Sequence, residues 1–539
     1  MGPFALSIVL AVVLLSLWKL VELIGRPYRS PLRVLPGPPN PSWLLGFFFA
    51  EEESDPRKMQ EEWVETYGKN VVTLGLFRKS RLTTVDPRAL NHVLLHSADY
   101  YKPEMARNAL GHLLSNGILI TEGDQHKQQR RIMNPAFGPA QIRDLTDIFI
   151  EKSLELRDVW TAQISGNGGS KRLNVTEGLS RMTLDVIGLA GFGYYFNALN
   201  ENGERNELNL AFRTLFSAQP TWFHILQIFF PIFRVIPTSR TRQVNHARSI
   251  MHRIGMRLIK EKKDALISAN PPDKRGMTTS EMHDRDLLSL LIRANLASDI
   301  PESQRLSDED VLAQVPTFLV AGHETTSSAV TWCLFDLART PQVQAKLREE
   351  ALIMPTETPT MDELNSLPYL DFVIKETLRL HGPVIESART AQKDDVIPLS
   401  EPYTDRSGEV KDYIKIAKGE DIMIPIIMIN RWKHIWGEDA EEFKPERWVN
   451  PPEAIEGSPG IWSHMLTFLD GPRACIGYRF SLVEMKALLF TLLRTLEFSL
   501  AVPVEDIAIQ QGIIARPMLA GEPEKGVQMP LIIKLYAPE

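Results

Sequence analysis

Cysteine is nearly absent: the 539 residues contain two, Cys333 and Cys475. Two thiols cannot staple a chain of this length, so a disulfide framework is excluded and a reducing compartment fits. A surplus of one charge is missing too, since 60 Lys and Arg face 67 Asp and Glu, for a net charge of −7 and no basic tail. That balance argues against nucleic acid as a partner. Internal repeats and Gly/Ser-rich linkers are also lacking, so although the length alone suggests about two to four domains, nothing divides the chain convincingly. We expect one large domain behind a short N-terminal segment, with the 44% hydrophobic fraction ample for its core.

One long apolar run is present. From Gly2 to Ile24 the only charges are Lys19 and Glu22, both near one end, where long side chains can snorkel. A helix over that stretch rises about 35 Å, enough for a bilayer core of about 30 Å. The alternative is a cleaved signal peptide, but no basic n-region or small-residue cleavage site is visible. Residues 1–25 are therefore expected to be an uncleaved transmembrane anchor and 26–40 a stiff, Pro-rich hinge, leaving 41–539 as the main domain. Arg26, Arg29 and Arg33 follow the span, which places the domain on the cytosolic side and leaves Asn174-Val175-Thr176 as an unused sequon.

Pro56 to Tyr67 reads as a helix, and Val71–Leu76 and Arg81–Val85 as short strands. Loops are expected at 165–170 and 270–284. Between these loops lie Phe212, Phe216, Trp222, Phe223, Phe229, Phe230 and Phe233, interrupted by Pro220, Pro231 and Pro237. An aromatic stripe is commonly core, but the prolines prevent one long packed helix and favour a lid that dips into the membrane interface. Ser307 and Asp310 suit an N-cap and its N3 acid, opening a long helix through about Ala338 that Pro316 should bend.

The second cysteine organises the rest. Phe468, Gly471, Arg473, Cys475 and Gly477 match F-x-x-G-x-R-x-C-x-G at every fixed position, and an apolar helical run follows from Arg479 to Leu493. A structural cysteine in a turn is the simpler alternative. A thiolate, however, needs nearby positive charge or backbone N–H groups, and this loop offers both. The stretch resembles the haem-binding loop of the cytochrome P-450 superfamily, the haem-thiolate monooxygenases, in which the cysteine is the axial iron ligand. The resemblance implies a mainly α fold with small β-sheets (α+β), haem b as cofactor, and Cys475 as ligand. Phe468, Arg473 and Gly477 would belong to the haem-binding site.

Further motifs fit the same resemblance. Ala321-Gly322-His323-Glu324-Thr325-Thr326 matches A/G-G-x-D/E-T-T/S, in which small residues (Ala321 and Gly322) let a helix pass close to the cofactor, and an acid and an alcohol (Glu324 and Thr325) deliver protons for O–O cleavage. His323 reads as a neutral structural histidine. His126 and Arg130 share a helix face at i and i+4, which suits either a solvated basic face or a pair of donors. The resemblance implies that they bind a haem propionate, with His126 standing where tryptophan is common. Arg389, in Ala388-Arg389-Thr390, matches the family's propionate-clamping arginine, and Arg473 serves the same end. Glu376, Arg379 and Arg447 resemble the family's buried structural triad.

The resemblance also implies a lipophilic substrate, O2, and electrons from NADPH. No flavin, ferredoxin or nucleotide-binding Gly motif is evident, so those electrons would come from a separate flavoprotein reductase, with cytochrome b5 as a further candidate donor. Lys127, Arg131, Lys444, Arg479 and Lys486 are candidates for the docking face. The pocket would draw on Met105–Ile120, the lid, Phe318, Val384–Glu386 and Gly512–Ala515, with Glu386 facing either water or a polar group of the substrate. Microsomal fungal members, often engaged in secondary metabolism such as terpenoid tailoring, are the most similar in wording, and they imply a location on the endoplasmic reticulum membrane. Two alternatives stay open: a haem-thiolate isomerase or dehydratase, and a non-catalytic haem sensor.

Overall fold

The computed structural model describes residues 3–47, 55–166, 168–200, 207–216, 238–269, 286–296, 301, 304–510 and 512–537. They form two compact units. The first comprises Met1–Pro103, Val384–Glu442 and Pro452–Ala474; the second comprises Glu104–Pro383, Phe443–Pro451 and Cys475–Glu539.

The first unit is built on a five-stranded sheet. Its order is Asn70–Leu74, Ser80–Thr84, Asp421–Ile424, Ser387–Ala391 and Tyr100–Tyr101. The helix Pro56–Tyr67 starts where Asp55 accepts from the Arg57 N–H and Pro56 occupies the first turn, where no N–H is needed. The expected strand Val71–Leu76 ends earlier, at Leu74. Phe77 and Arg78 then turn the chain in the left-handed region, at φ of 54° and 58°.

The N-terminal helix runs from Pro3 to Arg29. Lys19 and Arg26 both pair with Glu22 along it. Among the described residues no helix is long and apolar enough to cross a membrane. The Pro-rich stretch that follows lies against the first unit's sheet. Leu32 and Leu35 are fully buried, the Pro36 carbonyl accepts from the Val72 N–H at 3.0 Å, and the Val34 carbonyl accepts from the Arg406 N–H at 2.9 Å.

The second unit is mainly helical, with a three-stranded antiparallel sheet (Ser170–Asn174, Pro530–Leu535, Leu496–Leu500) and a hairpin (Ile507–Gln510 with Arg516–Leu519). The expected long helix is present but opens in two pieces. Ser307 and Asp310 form a capping box on Asp308–Leu312, and the main helix then runs from Gln314 to Arg339. The break falls at Ala313 and not at Pro316 itself, because the proline ring excludes the carbonyl four residues back, which belongs to Leu312. The run after the cysteine is the helix Tyr478–Thr495. Asn174 sits at the start of the helix Val175–Phe192, and its Oδ1 accepts from the Met529 N–H at 2.9 Å, so the sequon's amide is already engaged in the fold.

The aromatic stretch from Trp222 to Phe233 lies outside the described residues, as does 270–284. Phe212 and Phe216 fall on the helix Glu207–Phe216.

One close approach fixes how two long helices meet. A Cβ on Gly178 would lie 2.7 Å from the Trp160 indole nitrogen, so the helix Val175–Phe192 can pack on Pro139–Ser165 only with no side chain there. Gly178→Val should lower the unfolding free energy by about 2–3 kcal/mol through overpacking, measured by chemical denaturation. An unchanged midpoint would show that the helices separate readily.

Candidate functional site

The loop that leads to Cys475 is shaped by its backbone. In the first unit, Asp470 accepts from the Gly471 N–H at 2.6 Å and from the Gly460 N–H at 2.8 Å. Gly471 has φ of +68°, and a Cβ there would sit 2.5 Å from the Leu94 carbonyl oxygen. Glycine is required on both counts. Phe468 packs edge-on against Trp462, with ring centroids 5.6 Å apart. Arg473 closes the short turn Gly471–Arg473 and is half-buried.

Cys475 opens the second unit's share of the loop. Its surface is accessible, yet the thiol lies deep enough that desolvation raises its pKa above the ordinary value. The Gly477 N–H and the charge of Arg130 oppose that rise. The helix Tyr478–Thr495 begins just beyond, adding the positive end of its dipole. An accessible but recessed sulfur, facing a cation and a helix N-terminus, is a ligand awaiting an electrophile. Cys333 is different. It is fully buried in the long helix, and burial pushes its thiol up to about 12, which suits an inert packing residue.

His126 and Arg130 do not form a solvated basic face. His126 is buried on the helix Gly123–Met133, and desolvation holds Arg130 below the usual guanidinium range. The exposed cations of that helix are Lys127 and Arg131. In the first unit Arg389 is buried on the strand Ser387–Ala391. Its Nη1 donates to Ser387 Oγ and to the Ala388 carbonyl, both at 2.8 Å, while Nη2 is buried with no hydrogen-bond partner among the described residues. Desolvation lowers its pKa to about 10. A buried guanidinium N–H left open is costly unless an acceptor arrives, so Arg389 fits an anionic group such as a propionate. The chemistry of these donors fits haem: a thiol for the iron, and the buried Arg389 with the half-buried Arg130 and Arg473 for carboxylates.

On the long helix, Ala321 is exposed. The small size of Gly322 is required by another helix, since a Cβ there would lie 2.8 Å from Ile187 Cδ1. Thr325 Oγ1 donates to the Ala321 carbonyl at 2.6 Å. Glu324 forms an ion pair with Arg516 and lies 3.4 Å from His323 Nε2. His323 is buried; its Nε2 is 3.2 Å from Ser180 Oγ and its Nδ1 3.3 Å from the Leu319 carbonyl. Burial lowers its pKa, so the ring is neutral, as expected. Arg516 was missed by the sequence reading, which stopped the pocket turn at Ala515.

A cleft of about 400 Å³ beside the helix Glu104–Leu114 and the start of Gly123–Met133 is lined by Arg107, Asn108, Gly111, Asn116, Ile120, Thr121, Glu122 and Gln125, five of which fall in the segment Met105–Ile120. Phe318 does pack in an apolar setting, edge-on to Phe137 at 5.6 Å. Glu386 is engaged by the scaffold: it accepts from Gln60 Nε2 at 3.1 Å, and Gln60 is itself buried. Lys486 does not belong to a docking surface either. It is buried, 3.0 Å from both Asp371 and Asn365, because its position on Tyr478–Thr495 faces the helix bundle. Lys127, Arg131, Lys444 and Arg479 are exposed.

Behind these residues, the Glu376 carboxylate gathers five donors. Arg379 binds it bidentately through Nε at 2.9 Å and Nη2 at 2.8 Å, Trp448 Nε1 donates at 3.0 Å, the Lys444 N–H at 3.1 Å and Arg447 Nε at 3.4 Å. The expected triad is therefore joined by an indole and a backbone N–H, neither of which carries a charge that sequence inspection would pair.

The comparisons agree with this chemistry of a thiol, cations and an acid–alcohol pair. The cytochrome P450 family model matches residues 36–521, and the chain belongs to that family. It is 52% identical to cytochrome P450 monooxygenase 205 of Postia placenta, over 98% of each chain. Its identity to cytochrome P450 monooxygenase 128 of the same fungus is 53%, over 96% of this chain and 95% of the relative. Cytochrome P450 monooxygenase claP of Ampulloclitocybe clavipes is 35% identical over 97% of each. The protein is thus a monooxygenase of the P450 family, with haem b as cofactor and O2 and NADPH-derived electrons as co-substrates, and the non-catalytic sensor alternative is set aside.

Glu376→Ala would leave Arg379 and Arg447 buried without their acid. We expect a loss of about 3–5 kcal/mol of stability. Expression trials should give little haem-loaded protein, and the surviving fraction should keep the wild-type product profile. Normal yield and stability would remove the network's structural role.

Proposed function

We propose that this enzyme inserts one oxygen atom of O2 into a lipophilic small molecule, by hydroxylation or epoxidation, within fungal secondary metabolism such as terpenoid tailoring. Cys475 would hold the haem iron, and Arg130, His126, Arg389 and Arg473 would answer its propionates. Bound haem supplies the redox iron that activates O2. The chain's own residues do the rest. The Gly477 N–H and Arg130 stabilise the Cys475 thiolate against the desolvation that opposes it. The exposed Ala321 leaves space on the long helix, and Glu324 and Thr325 would hold and pass the protons that reduction of O2 consumes. Supporting this most directly is one observation: the accessible Cys475 lies between the short turn Gly471–Arg473 and the N-terminus of the helix Tyr478–Thr495, where the Gly477 N–H favours its thiolate.

Electrons arrive from a separate NADPH-dependent flavoprotein reductase, with cytochrome b5 as a second donor, at a face that includes the exposed Lys127, Arg131, Lys444 and Arg479. The catalytic domain faces the cytosol from the endoplasmic reticulum membrane, held by the N-terminal helix. Leu10, Leu14, Leu15, Leu17, Trp18 and Val21 present more than half their surface on that helix, which suits lipid contact.

Two experiments test the proposal. Reduced, CO-bound wild type should give a Soret band at about 450 nm, the position of thiolate-ligated haem, and Cys475→Ser should lose it. Identical spectra would sink the ligand assignment and the mechanism with it. For the anchor, full-length protein should stay with the membrane pellet through an alkaline carbonate wash, and a variant lacking residues 3–29 should not. Release of the full-length chain would overturn the anchor.

A further inference from the structure

Glu324 is held from outside its own helix. Arg516 is the first residue of the strand Arg516–Leu519, directly after the turn Gly512–Ala515, and its guanidinium pairs with the Glu324 carboxylate. The root of that side chain is fixed. Ser328 Oγ, one turn along the helix from Glu324, donates to the Ala515 carbonyl at 2.8 Å, and the Ala515 N–H donates to the Pro383 carbonyl at 2.8 Å. Across the hairpin, Gln510 pairs with Arg516.

The pair is also partly shielded. Glu324 keeps 18% of its side-chain surface and Arg516 30%, so solvent screens this contact less than it would a surface pair. On the other side of the carboxylate lies His323 Nε2, at 3.4 Å. A carboxylate paired with a guanidinium rooted in a different element has a restricted choice of orientations. Proton transfer depends on that orientation, because donor and acceptor must come within hydrogen-bond reach.

We propose that Arg516 is a positioning residue for the monooxygenation. It sets the direction in which Glu324 presents its carboxyl group, and it ties that direction to the Gly512–Ala515 turn. This rests on Glu324 as the proton source, as argued above. In the coupled reaction a substrate C–H bond, O2, NADPH and a proton become an alcohol, water and NADP+. When protons are misdelivered, O2, NADPH and a proton become hydrogen peroxide and NADP+.

The test uses the full-length haem protein with a flavoprotein reductase and a panel of terpenes as probes, the terpene that wild type converts best being used throughout. Arg516→Met should lower product formed per NADPH consumed by about fivefold, the balance appearing as peroxide. Arg516→Lys should restore most of the coupling. The spectral Kd for the probe, which needs no turnover, should stay within about twofold of wild type, separating positioning from a damaged pocket. The double variant Arg516→Met/Glu324→Gln should be no less coupled than Glu324→Gln alone, because the two act through one carboxylate. Wild-type coupling in Arg516→Met, multiplicative losses in the double variant, or a Kd weakened in step with product would each overturn the proposal. If Glu324→Gln alone stays fully coupled, Glu324 is not the proton source and the reading beneath this one fails. Uncoupling by Glu324→Gln with none by Arg516→Met rejects Arg516 alone.

Discussion

A buried carboxylate is the constraint on which the second unit depends. Glu376 has no exposed surface, and neither has Arg379, while Arg447 keeps only 8%. Removing three charges from water costs several kcal/mol each, which their mutual attraction offsets only when the geometry is good and the remaining donors and lone pairs are satisfied. Here Trp448 and the Lys444 N–H complete the set around the acid. The consequence travels along the chain. Phe443–Pro451 is tied to the helix Pro368–Leu380 by this network, and the chain that leaves it runs through Pro452–Ala474 to Cys475.

Around the cysteine two effects oppose each other. Burial favours the neutral thiol; a backbone N–H and the Arg130 charge favour the thiolate. Arg130 is itself desolvated, so its field is little screened and it gains from an anionic neighbour. Arg389 shows the same strategy in the first unit, with a buried N–H that the fold leaves unanswered. Among the described residues, the cost of that open Arg389 N–H is met only by a bound group.

The long helix carries its two functions on separate sides. Gly322 admits Ile187 of the neighbouring helix, while the adjacent Ala321 stays exposed and receives the Thr325 hydroxyl on its carbonyl. Glu324 is drawn toward Arg516 and His323. Small residues in a motif thus answer different neighbours, and a pattern of spacing does not say which.

Much of the site was legible because its signals are local. The cysteine loop, the capping box at Ser307 and the Glu376–Arg379 pair depend on residues within about ten positions of one another, where backbone geometry and side-chain chemistry set the outcome directly. The helix after Cys475 and the helix Pro56–Tyr67 were readable for the same reason. Where the sequence misled, the deciding partner came from far along the chain. Lys486 reads as a surface charge until Asp371 meets it, Glu386 reads as a lone acid until Gln60 donates to it, and Arg516 carries no signal until the hairpin brings it to Glu324. The sequence by itself determined the chemistry on offer: a thiol in a glycine-rich loop, an acid–alcohol pair, an arginine set. Only the tertiary structure decided which charges are buried and whom they face, because desolvation and pairing are properties of packed neighbours and not of spacing along the chain.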